Sequence, residues 1–182
     1  MIFMKRTEAQ KISIAALMIA LGLIIPFFTS HMFGVPGTII LPMHLPIIIG
    51  GLVCGPLYGG IIGFIVPVLS SLLTGMPVVY PMLPLMAVQL IFMGMFAGLF
   101  AKHFNTLISS IGGIVGGWVA YSAMLWILIQ ISGHAMNMTV SSALVMGIPG
   151  IVIQLIACPL VAKFINHLMK TTISNKESNY AK

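Results

Sequence analysis

Two prolines bracket a histidine in "LPMHLPIIIGGLVCG", residues 41–55, and His44 is one of few titratable groups in an otherwise apolar region. The other side chains able to do chemistry are neutral and scattered. Gln89 stands alone in one apolar run, and Trp118, Tyr121, Trp126 and Gln130 follow one another along the next. His134 and Asn137 come after them, Gln154 lies in the last run, and Tyr80 precedes a proline. Neutral donors and acceptors beside aromatic rings suit recognition of a flat, polar small molecule. Buried amides in an apolar medium must find hydrogen-bond partners, so the glutamines could equally satisfy backbone groups or one another. His44 could likewise be an ordinary interfacial residue.

Hydrolytic and redox chemistry have little to work with. Glu8 and Glu177 are the only acids, and both lie near the chain ends. No GxxxxGK[ST] phosphate loop, HExxH pair or doubled NPA is present, and no two histidines stand at metal-ligand spacing. Cys54 and Cys158 form no CxxC and sit in apolar runs, which reads as two buried thiols rather than a metal site or a disulfide. Neither a catalytic residue nor a cofactor is expected. Ion-coupled carriers usually keep an ionisable residue within the membrane, and apart from histidine this chain has none there. It shows no power source of its own.

The elements that must position these groups follow from composition. Of 182 residues, 59% are hydrophobic and 5% charged, against about a quarter charged in soluble domains. Continuous apolar runs, rather than alternating ones, exclude a β-barrel pattern. A helix needs roughly 20 apolar residues to span a bilayer. Breaks at Pro, Gly, His and polar clusters give six segments near 12–29, 40–55, 57–74, 82–101, 108–132 and 143–169. The expectation is an all-α, six-helix membrane bundle, one domain over 1–182, with short tails at 1–11 and 170–182. Segments two and three are short and could be tilted or broken.

Sidedness comes from the cations. Lys5, Arg6, Lys11, Lys170, Lys176 and Lys182 fall in the tails, Lys102 by the loop between spans four and five, and Lys163 in the last two turns of span six. The loops near 30–39, 75–81 and 133–142 hold none. By the positive-inside rule both termini are cytoplasmic, and the net charge of +6 reports topology rather than nucleic-acid binding. His44 then belongs to the outer end of span two. Glycines at four-residue spacing, Gly51, Gly55, Gly59 and Gly63, Gly94 and Gly98, and the doubled pairs from Gly112 to Gly117, mark close helix contacts. Ala16 and Ala20 in "SIAALMIALG" form a weaker pair of the same kind.

Together these residues resemble the substrate-binding S components of energy-coupling factor (ECF) vitamin transporters. The resemblance covers most of the chain. It rests on size, six spans with both ends inside, "AALMIA" in the first helix, and "LPMHLPIIIGGLVCGPLYGGIIGFIVPVLSSLLTGMP". It implies binding of a B-group vitamin or related micronutrient at the outer face of the plasma membrane. It also implies docking, through Ala16 and Ala20, on a coupling membrane subunit that carries two cytoplasmic ABC-type ATPases. The S component is then expected to topple within the lipid bilayer and carry its pocket inward. The loop between helices one and two would cover the pocket, placing His44 at its hinge. The proline-flanked histidine run is most similar to that of pantothenate carriers; the outward half offers no Lys or Arg to a carboxylate, a problem that a neutral heterocycle such as a pyridoxine-like compound, a thiamin pyrimidine precursor or riboflavin avoids. A stand-alone carrier or channel is the alternative, followed by a membrane hydrolase using His44 or His134, or a scaffold.

Overall fold

The first helix begins at Glu8, behind a turn in which Thr7 and Gln10 exchange backbone-to-side-chain hydrogen bonds. In the computed structural model, residues 7–31, 41–132 and 140–180 are described. They form six helices: α1 (Glu8–His31), α2 (His44–Cys54), α3 (Pro56–Thr74), α4 (Met82–Phe100), α5 (Thr106–Ser132) and α6 (Val140–Tyr180). There is no strand among the described residues. All but α2 are long and apolar enough to cross a membrane.

Helix α2 departs from the expected span over 40–55, for its 11 residues are only about 16 Å long at 1.5 Å per residue. The prolines explain its late start. A residue before proline is pushed out of the right-handed helical region, and Leu41, before Pro42, takes φ +51°. Pro46 falls in the first turn of α2, where no intrahelical N–H is needed. Gly55, with φ +100°, then divides α2 from α3 in a conformation that a side chain would strain. At the other end of the chain, α6 continues past its apolar stretch, Val145–Met169, to Tyr180.

Neighbouring helices alternate in direction. The Cys54 thiol donates to the Lys11 carbonyl at 3.7 Å while Gly50 faces Met18, so α1 and α2 are antiparallel. Gly59 and Gly63 of α3 meet Gly94 and Leu90 of α4, and Gly113 and Gly117 of α5 meet Ala97 and Gln89 of α4. One end of the bundle therefore holds Lys11 and the Lys102 turn; the other holds the 75–81 turn. Lys163 lies on the α6 side of the lysine-bearing end.

In lipid no hydrophobic drive brings helices together, and close backbone approach does that work instead. Here it is concentrated on α4, which lies against α2, α3 and α5. Helix α1 is the outlier. It packs on α2 and α3 alone among the described elements, burying Ala15, Met18 and Gly22 while Ala16, Leu17, Ala20 and Ile24 face outward. At the lysine-bearing end Glu8 ties α1 down, accepting from Lys11 Nζ at 2.6 Å and from the Tyr58 hydroxyl at 2.8 Å.

Candidate functional site

Four helices each contribute a buried polar side chain without a hydrogen-bond partner. They are His44 of α2 (both ring nitrogens), Gln89 of α4 (Nε2), Trp118 of α5 (Nε1) and Gln154 of α6 (Nε2 and Oε1). His44 is 1% exposed and Gln154 0%. An unsatisfied buried donor or acceptor costs about 1–3 kcal/mol, so native structures keep few of them. Six such atoms on four helices make these residues the candidate site.

Their placement follows from local packing. On α5 the stripe Trp118, Tyr121, Leu125 and Leu128 turns inward, and Trp118 stands edge-on to Tyr121 with ring centroids 5.5 Å apart. Gly117, beside Trp118, is pressed against the Gln89 carbonyl of α4, which sets Gln89 and Trp118 at one depth. On α6 the inward stripe is Gly147, Gly150, Gln154, Cys158 and Ala162. Gly147 faces the side chains of Leu41 and Trp118, and the Cys158 thiol donates to the Leu45 carbonyl at 3.9 Å. Gln154 falls between those two contacts on α6, as His44 does between Leu41 and Leu45 on the facing chain. The four groups thus belong to one layer, between the middle of the bundle and its lysine-free end.

The other expected site residues are dispersed. Tyr121 backs Trp118 and is buried. Trp126 is 64% exposed, and Gln130 is exposed too. Both lie on the outer face of α5, because eight and twelve residues after Trp118 the helix has turned away from its inward stripe. Tyr80 is 62% exposed in the 75–81 turn. His134 and Asn137 lie outside the described residues. Ala16 and Ala20, expected as a docking pair, are on the outward face of α1. No cluster of three metal-ligating side chains occurs among the described residues.

Sequence reasoning missed three supporting residues. Cys158 anchors α6 to the start of α2, and Ser70 and Ser71 brace the lysine-free turn by donating to the carbonyls of Met76 and Pro77 at 2.8 and 2.7 Å. The i, i+4 spacing of Gln154 and Cys158 was the available signal for the first. For the serines no sequence pattern distinguishes this bond from an ordinary intrahelical one.

The layer offers neutral donors and acceptors and one aromatic pair, with the Cys158 thiol beside them engaged at the Leu45 carbonyl. Compared with known families, residues 10–166 match the model described as ECF transporter, substrate-specific component. Neither the curated proteins nor the solved structures contain a match to the chain. The match takes in all of α2 to α5 and most of both α1 and the membrane-length part of α6, and with it this multi-pass membrane chain belongs to the family of ECF transporter substrate-specific components.

Proposed function

We propose that the chain captures a B-group vitamin or related micronutrient at its lysine-free end and delivers it inward through an ATPase-driven coupling module. One observation carries this reading: the layer of unpartnered polar groups formed by His44, Gln89, Trp118 and Gln154. A solute that completes their hydrogen bonds recovers what the empty layer forgoes, which makes binding favourable without charge. The lysine-bearing end then faces the cytoplasm, with both termini, by the positive-inside rule, and the membrane is the plasma membrane.

The exposed face of α1 around Ala16 and Ala20 supports docking on a membrane coupling subunit, since small residues let a partner helix approach closely. Two cytoplasmic ABC-type ATPases on that subunit would supply the energy. Pantothenate is the lead from the proline-flanked histidine run, though it would bring a carboxylate into a region without Lys or Arg.

The test is to purify the full chain alone from cells grown in rich medium and to identify, by mass spectrometry, any solute released on denaturation. A vitamin at one per chain is the expected result. A chain that releases nothing, binds no vitamin of a panel and conducts solute in liposomes by itself would replace this reading with a stand-alone carrier or channel.

A further inference from the structure

The unpartnered layer is lopsided in what it offers. A neutral imidazole has one donor and one acceptor nitrogen, an indole one donor, and an amide nitrogen two N–H hydrogens. With the unpartnered atoms of His44, Gln89, Trp118 and Gln154, the layer presents six N–H hydrogens and two acceptors. A ligand that satisfies it must carry mostly acceptors.

Charge narrows the choice. Between Lys11 and Lys163 the chain has one charged side chain, Lys102, in the turn at the opposite end of the bundle. A buried ion without a counter-charge costs several kcal/mol even after relaxation. The N-terminus of α2 offers an anion about half a unit charge at most. Pro46 removes one of its amides there, and the His44 N–H is already donated to the Leu41 carbonyl at 3.0 Å. Neither sign of ion finds compensation in this layer.

We infer that the solute is uncharged at neutral pH and turns an edge of carbonyl oxygens or ring nitrogens toward His44, Gln89, Trp118 and Gln154. This rests on the binding reading above and specifies its substrate class. It sets carboxylate vitamins, pantothenate among them, behind neutral ones.

Matched pairs that differ only in charge test it: nicotinamide against nicotinate, panthenol against pantothenate, and biotin methyl ester against biotin. Each is titrated at pH 7.4 into the purified full chain while tryptophan fluorescence is followed. In any pair that binds, the neutral member is expected to bind at least about tenfold more tightly, a factor of ten corresponding to 1.4 kcal/mol. Tighter binding of an anion would overturn the inference and leave the transport reading intact. If no pair binds, the solute released from the purified chain decides: a neutral molecule upholds the inference, and an ion overturns it. Release of nothing, with no vitamin of a panel bound and solute conducted in liposomes by the chain alone, overturns both readings. Gln89→Leu and Gln154→Leu should each weaken the bound neutral solute at least about tenfold, as a site built to hydrogen-bond its ligand demands. Unchanged affinity in both would remove the layer from the site.

Discussion

Gly59 of α3 and Gly94 of α4 are packed backbone against backbone, so that a Cβ on either would overlap the carbonyl oxygen of the other. Gly51 of α2 meets the same Gly94 carbonyl. Three helices thus converge on a point where no side chain fits, and backbone atoms cannot rotate out of the way. Gly94→Ala should destabilise the bundle by about 2 kcal/mol or more, at the upper end of overpacking costs. Gly60→Ala is the control. Its Cβ would meet the flexible Met95 side chain at 2.8 Å, and methionine adapts readily, so about 1 kcal/mol or less is expected. Thermal unfolding of both variants in one detergent checks the contrast.

Gln154→Leu should stabilise the empty protein by about 1–2 kcal/mol, because it replaces two unpartnered buried atoms by a side chain of similar size. The same change should abolish solute binding. Gain of stability with loss of binding separates a functional polar group from a structural one, since a structural hydrogen bond would be lost at a cost. Unfolding midpoints with and without solute supply the measurement.

Ala16→Trp should leave solute binding intact and abolish uptake in cells that carry the coupling module. The substituted residue is on the outward face of α1, away from the stripe of Ala15, Met18 and Gly22 that packs inward. Weakened binding by the purified variant would instead assign this face a role within the bundle.

Cysteine labelling tests sidedness. Val79 is 71% exposed in the lysine-free turn and Lys102 is exposed at the other end. An impermeant maleimide applied to intact cells should label Val79→Cys and spare Lys102→Cys. The native thiols do not interfere, being 4% and 0% exposed at Cys54 and Cys158. The reverse pattern would invert the proposed orientation.

Helix positions were legible because apolar length and glycine or proline punctuation act locally. The expected segment 82–101 and the observed Met82–Phe100 differ by one residue. The start of α2 was harder to place, because apolarity continues through Leu41 and Pro42 while Leu41, disfavoured in a helix before proline, takes φ +51° and stays outside it. Among candidate site residues, His44, Gln89, Tyr121 and Gln154 are buried and Trp118 is half-buried, whereas Trp126 and Gln130 face out. Residue type alone treated Trp118 and Trp126 alike. The stripe of Trp118, Tyr121 and Leu125 carried the distinction, and reading α5 by its period would have found it. What no period conveys is which groups go without partners, since that depends on four helices at once.

The shortness of α2 has a consequence for the membrane itself. A hydrocarbon core is about 30 Å thick, and α2 covers about 16 Å of it from the lysine-bearing side before ending at His44. Ten of its eleven residues are buried, so α2 faces neighbouring helices rather than lipid. Hydrophobic mismatch, which thins a bilayer around a short span exposed to lipid, therefore does not act on it. A short helix kept among its neighbours can begin at mid-depth without deforming the bilayer, which leaves the imidazole of His44 buried below the lysine-free end.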